Sequence, residues 1–199
     1  MSALTKTNNI LCINSSYRKN GSKSNLLTQE VIKHYQEKSK TVVKYRNLES
    51  ENKLNYLNEE WITANLTKEK TDEHKKILQY SDELISEIKN ADVIVFGCPM
   101  YNFTISSNLK SYIDLICRYG LTFNYGEKGP YGLLENKKAI ICTTSNGVPY
   151  NCEYDFVSKY MIQVCNFIGI KDCKIIHGNE LLKGEEDVIE KCKKIIKDL

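Results

Sequence analysis

What this sequence lacks narrows its function before anything it contains. It has no block of lysine and arginine interleaved with aromatics, and its net charge is only +3. A protein that tracks a nucleic-acid backbone carries a basic stripe with stacking residues, so nucleic acid is not an expected partner. No stretch approaches the roughly 20 apolar residues of a membrane helix. The first residues hold no apolar signal core. No membrane association is expected, and the chain reads as cytoplasmic. None of its eight cysteines (Cys12, Cys98, Cys117, Cys142, Cys152, Cys165, Cys173 and Cys192) forms a C-x-x-C pair. None stands at zinc-finger spacing from His34, His74 or His177. Most lie within apolar runs, where a thiol behaves as a small hydrophobe. Reduced, buried cysteines and no metal site are therefore expected.

What is present describes a globular chain. At 199 residues, with 41% hydrophobic and 27% charged residues, it can bury a sizeable core, and a folded chain rather than a disordered one is expected. A single domain over 1–199 is expected, because no repeat, linker or low-complexity tract divides it. Five short apolar runs alternate with helical patterns. They are Ile10 to Ile13, Val42 to Tyr45, Asp92 to Gly97, Lys138 to Cys142 and Cys173 to Ile176. Between the first two, Leu27, Val31 and Tyr35 mark a helix. After the second comes a polar excursion through Lys70, with Leu54, Leu57, Trp61 and Leu66 irregularly spaced around a short helix. Ile77, Leu78, Ser81, Leu84, Ile85 and Ile88 then fall on one helical face. Further helices are expected at 106–118 and 156–167, and a last one through Val188, Cys192 and Ile196. A glycine-rich loop runs through Gly120, Gly126, Gly129 and Gly132.

Strand–helix alternation over the whole chain specifies an α/β fold with a parallel sheet between two helical layers, joined by right-handed crossovers. In such sheets ligands sit beyond the carboxyl ends of the strands, where the strand order reverses. Three turns then matter. The first, Asn14 to Ser24, is dense in hydroxyls and opens a helix. Unpaired amides and partial positive charge at a helix start suit a monophosphate, with Ser16, Ser22, Ser24 and Asn25 as added donors. An ordinary N-cap is the plain alternative. The second, Cys98 to Phe103, offers Met100, Tyr101 and Phe103 as walls for a flat ring and a backbone amide near Asn102. Aromatics packed into the core are the alternative. The third, Thr143 to Gly147, contains Asn-Gly, whose backbone can approach a ligand closely. A plain turn is equally compatible with it.

Several segments together are recognisable. They are P-M-Y-N-F-T-I-S from Pro99 to Ser106, L-K-S-Y-I-D from Leu109 to Asp114, G-L-T-F-N-Y from Gly120 to Tyr125, and the pairs Gly129-Pro130 and Gly132-Leu133. With K-K-A-I from Lys137 to Ile140, S-K-S-N from Ser22 to Asn25 and F-I-G-I from Phe167 to Ile170, the chain resembles the FMN-dependent NADH-azoreductase (NADH:quinone oxidoreductase) family. The resemblance implies a three-layer flavodoxin-like fold, doubly wound on a five-stranded parallel sheet of order 2-1-3-4-5. It also implies a homodimer and ping-pong transfer of two electrons, as hydride through the flavin N5. Electrons would pass from NADH or NADPH through FMN to quinones, azo compounds or nitroaromatics. By motif match, Ser16, Ser22, Lys23 and Ser24 correspond to the phosphate cradle. Met100, Tyr101, Asn102 and Phe103 correspond to the ring-binding turn, and Thr144, Ser145, Asn146 and Gly147 to the turn at the pyrimidine end. Tyr125 and Phe167 resemble residues that shape the acceptor pocket. One departure stands out. The family's third turn carries Ser/Thr-Arg-Gly-Gly and then a His, and here the Arg, one Gly and the His are missing.

No acid–base dyad is nominated, since hydride chemistry belongs to the cofactor. His34, His74 and His177 lie outside the three turns in sequence and read as structural or solvated. Two other classes remain open from sequence: a flavodoxin-type electron carrier without acceptor turnover, and a flavin-free scaffold on the same fold.

Overall fold

The central apolar runs become strands whose two faces are both buried under helices. In the computed structural model, which describes residues 7–50, 54 and 56–199, the first run lies in β1 (Asn8–Asn14). It is followed by α1 (Lys23–Lys38), β2 (Thr41–Asn47) and a 3₁₀ turn (Leu48–Ser50). Residues 51–53 and 55 of the polar excursion lie outside the described residues. Its short helix is α2 (Glu59–Leu66), started by Asn58, whose side chain accepts from the Trp61 amide. Next come α3 (Asp72–Asn90), β3 (Val93–Pro99) and α4 (Ser107–Ile116). After a hairpin of β4 (Phe123–Gly126) and β5 (Gly129–Gly132), the chain continues through β6 (Lys138–Thr144) and α5 (Phe156–Ile168). It closes with β7 (Asp172–Gly178), a second 3₁₀ turn (Leu181–Lys183) and α6 (Glu185–Lys197).

The main sheet is parallel, in the order β2-β1-β3-β6-β7. Counting only its five strands, this is the expected order 2-1-3-4-5. Period-two alternation divides the side chains between two cores. Leu11, Ile13, Ile94, Phe96 and Ile141 face the layer of α3, α4 and α5. Ile10, Cys12, Val95, Ile140 and Cys142 face Leu27 and Val31 of α1 and Cys192 and Ile196 of α6. Gly97 lets α1 come close, because a Cβ there would stand 3.1 Å from Asn14 Oδ1 and 3.2 Å from the Thr28 methyl. No helix among the described residues is long and apolar enough to cross a membrane.

The segment expected as a glycine-rich loop is instead an antiparallel hairpin, with Phe123 opposite Gly132 and Gly126 opposite Gly129. Its strands are four residues long and end in glycine, so they carry no apolar run that would mark them in sequence. Phe123 anchors it by packing on Phe167 of α5, with ring centroids 4.3 Å apart. A buried ion pair also joins β2 to α3. Arg46 Nε donates to Glu87 Oε2 at 2.6 Å, and Lys44 reaches the other carboxylate oxygen. Burial draws the Glu87 carboxyl upward, but the hydrogen bonds and charges of Arg46 and Lys44 outweigh it and hold it below the usual carboxylate range.

Candidate active site

Register brings the three turns to one edge. Asn14 pairs with Gly97, and Pro99 with Thr144, so β1, β3 and β6 end side by side. Their turns enclose a cleft of about 450 Å³. Of the residues singled out in sequence, Ser16, Ser22, Lys23, Met100, Tyr101, Asn102, Phe103, Thr144, Ser145, Asn146 and Gly147 all line it. Ser24 does not. It is fully buried, and its hydroxyl is 3.1 Å from that of Ser22. Tyr125 and Phe167 do not line it either. They belong to the aromatic group of the hairpin, where Tyr125 stacks on Tyr119 and is 62% exposed.

At one end of the cleft, α1 begins. Ser22 is its N-cap and accepts from the Asn25 amide, which leaves the amides of Lys23 and Ser24 without an intrahelical acceptor. Arg18 lines the same end, a residue the sequence reading passed over. Lys23 Nζ lies 2.5 Å from Glu185 at the start of α6, so part of its charge is already paired. The result is a cationic, hydroxyl-lined end suited to a phosphate.

The middle wall is a strained reversal. Tyr101 and Thr104 exchange both backbone hydrogen bonds, at 2.9 and 3.1 Å, across Asn102 and Phe103. Both central residues are left-handed, with φ of 49° and 71°, as a type I′ turn requires. For a phenylalanine that conformation is costly, about 1–2 kcal/mol. The turn is held by its neighbours. The Met100 amide donates to the Thr144 carbonyl at 2.8 Å, and the Tyr17 amide donates to Tyr101 Oη at 3.1 Å. Neither central amide is used inside the turn, so both are available to a ring edge.

The third turn is fastened by the segment that follows β7, the strand beside β6. Ser145 Oγ donates to the Val148 carbonyl at 2.5 Å, and the Leu181 and Leu182 amides donate to the carbonyls of Ser145 and Asn146. Asn179 joins the Thr143 hydroxyl to the Val148 carbonyl. Leu181 itself lines the cleft. Gly147 is open, with nothing within 4 Å of where a Cβ would stand. This end therefore offers backbone rather than charge.

The three histidines stay outside the cleft. His177 stacks on Tyr150, with centroids 4.4 Å apart and planes 7° apart. Beneath the turns, burial pushes the Cys12 thiol up to about 12, against a smaller pull from the Thr28 hydroxyl. Burial also raises Cys98 and Cys142. All three are fully buried and pack as small hydrophobes. Among the described residues, no group of three or more His, Cys, Asp or Glu gathers in a metal-holding arrangement.

A family model described as flavodoxin-like fold matches residues 8–199. An FMN-dependent NADH:quinone oxidoreductase 1 of Colwellia psychrerythraea is 40% identical over 190 residues, 94% of this chain and 98% of its own length. An FMN-dependent NADH:quinone oxidoreductase of Vibrio vulnificus is 39% identical over 178 residues, 89% of each chain. Among solved structures, an azoreductase from Bacillus anthracis superposes with a TM-score of 0.85 over 96% of this chain and 100% of its own. Its sequence identity is 24%, so that likeness concerns the fold alone.

Proposed function

Because this chain belongs to the flavodoxin-like family, among the FMN-dependent NADH:quinone oxidoreductases, we propose that it holds one FMN in the cleft and carries electrons from NADH to quinones and azo compounds. Bound FMN supplies the redox chemistry, taking up and releasing a hydride equivalent, so the protein needs no acid–base dyad. The observation that carries the reading is the graded cleft, cationic at the α1 start, aromatic along its wall and backbone-lined at its far end.

Ser16, Ser22, Arg18 and the first amides of α1 hold the phosphate. Met100, Tyr101 and Phe103 flank the ring, and the amides of Asn102 and Phe103 meet its reactive edge. The backbone of Ser145 to Gly147 meets the polar edge. Because those contacts come from main chain, the missing Arg and His of the third turn do not bar the ligand. Donor and acceptor occupy the open side of the ring in turn. NADPH as donor and nitroaromatics as acceptors fall within the same reading.

The chain acts as a single domain, in the cytoplasm, and as a homodimer. Support for the dimer comes from the hairpin, where Tyr119, Tyr125 and Tyr131 are each about half exposed or more around Phe123. A second copy covering that face would bring Tyr125 and Phe167 into an interface, where they could shape the acceptor pocket.

The test is anaerobic mixing of the FMN-loaded protein with NADH. The yellow absorbance should bleach rapidly and return when a quinone is added. Protein that takes up no FMN rules the reading out. FMN-loaded protein that keeps its colour with both NADH and NADPH also does so, and marks an electron carrier instead.

A further inference from the structure

Past the start of α1 lies a second cavity, of about 420 Å³. The two share Ser16 and Arg18, so they meet at the phosphate end and nowhere along the ring wall. This second cavity lies over the carboxyl ends of β1 and β2, on the side of β1 away from β3 and β6. Anything joined to the ligand of the main cleft and lying here would be joined through phosphate.

The walls have a definite chemistry. Asn47 ends β2 directly beside Asn14 of β1, and Glu49 follows in the next turn. Asn47 Oδ1 accepts from Asn14 Nδ2 at 2.9 Å, which leaves its amide hydrogens as donors. Asn25 adds a further amide from the first turn of α1. Tyr45 presents a half-exposed ring, and Arg18 stands at the junction. Glu49 lies 3.3 Å from the exposed Lys19 ammonium, a surface pair that a ligand can displace at little cost. In parallel sheets that hold dinucleotides, the diphosphate rests on the helix after the first strand. An acid at the end of the adjoining strand takes the ribose hydroxyls. Here the α1 start and Glu49 stand in that relation. A carboxylate repels bare phosphate but accepts from a diol, so the cavity is matched to a nucleoside.

We propose that this second cavity binds an adenosine diphosphate group, with Arg18 at the diphosphate, Glu49 at the ribose and Tyr45 against the adenine. The proposal rests on the FMN reading only in placing a phosphate at the α1 start. The group could arrive as the adenylate half of FAD, spanning both cavities, or as the adenosine end of a nicotinamide dinucleotide beside bound FMN.

Calorimetric titration separates these sources. Flavin-stripped protein is titrated with FMN and with FAD, and FMN-loaded protein with ADP. FAD binding at least as tight as FMN, weakened roughly tenfold by Tyr45→Ala and by Glu49→Gln while FMN binding holds, assigns the flavin dinucleotide. ADP binding to FMN-loaded protein, with the same sensitivity to the two variants and a matching rise in the KM for NADH, assigns the nicotinamide dinucleotide. FAD binding more than tenfold weaker than FMN, together with no heat from ADP, overturns the proposal and leaves the FMN reading intact. So does equal FAD binding that neither variant changes. Failure of FMN itself to bind overturns the reading of the main cleft, and ADP titrated onto the unloaded protein then decides the second cavity alone.

Discussion

Two tight reversals in this molecule solve the same geometric problem with opposite materials. The turn at 102–103 reverses the chain through two non-glycine residues in left-handed conformation, one of them a phenylalanine. The hairpin turn at 127–128 places its left-handed residue at Gly129, with φ of 106°, where no side chain is strained. Hydrogen bonds to Thr144 and Tyr101 hold the first in place. The hairpin that carries the second is seated at its base by close backbone packing, since a Cβ on Gly132, opposite Phe123, would stand 1.9 Å from the Gly169 nitrogen. Strain is kept where the reversal lines the cleft. Relaxed glycine is used where only architecture is at stake.

The sharpest way to break that contrast is Gly132→Val. The added side chain meets the backbone of Ile168 and Gly169, which cannot swing aside as a side chain would. The hairpin must lift off α5 and lose the Phe123–Phe167 contact. A loss of about 3 kcal/mol is expected, or roughly 6–12 °C in Tm for a chain of this size. Thermal melting followed by circular dichroism reads it. FMN affinity of the protein still folded should hold, because no residue of the cleft belongs to the hairpin. A Tm within about 2 °C of the parent would mean that the close approach is not real.

A smaller effect is expected at Asn179, which is buried and serves the cleft from outside it. Asn179→Ala strands the Thr143 hydroxyl and leaves the Val148 carbonyl to Ser145 alone, at a cost of about 1–3 kcal/mol. Unlike the hairpin variant, it should also loosen the third turn and weaken FMN binding by roughly tenfold. Unchanged FMN affinity with reduced stability would show that the third turn is positioned without Asn179.

The same contrast explains what was legible in the sequence. The three central strands stand out because each is an apolar run covered on both faces, the edge strands β2 and β7 show as shorter and more polar runs, and the strand order follows from the family resemblance. The cleft's three turns were visible as hydroxyl, aromatic and Asn-Gly signals at strand ends. What was hidden depends on contacts between distant parts of the chain. Asn179 and Leu181 reach the third turn from more than thirty residues away in sequence, and neither type signals that role. Tyr17 looked like loop text, yet its hydroxyl lies 2.7 Å from Ser107 Oγ at the start of α4, and its amide braces Tyr101. Arg46 and Glu87 each look like surface residues until strand and helix bring them together. The hairpin is hidden in the sequence because glycine signals a loop as readily as a strand end. Lys23 reads in sequence as a phosphate ligand alone, and in the structure it also holds Glu185 of the last helix.

The smallest expected change in stability tests the contrast most directly. Phe103→Gly converts the strained turn into Asn-Gly, the sequence that a type I′ reversal prefers. It relieves about 1–2 kcal/mol of left-handed strain, partly offset by the roughly 0.5–1 kcal/mol that glycine's freedom costs on folding. Phe103 is 52% exposed, so little burial is lost beyond its tilted contact with Tyr154 at 6.1 Å. Net stability should stay level or rise by up to about 1 kcal/mol. The cleft, however, loses an aromatic wall, so FMN should bind more weakly and the KM for quinone should rise. Urea unfolding and flavin titration of the same preparation read both quantities. Stability and binding moving in opposite directions would establish that the strain serves the site. A clear fall in stability with FMN affinity untouched would mean that Phe103 is held for packing, and that the two turns differ by accident of sequence.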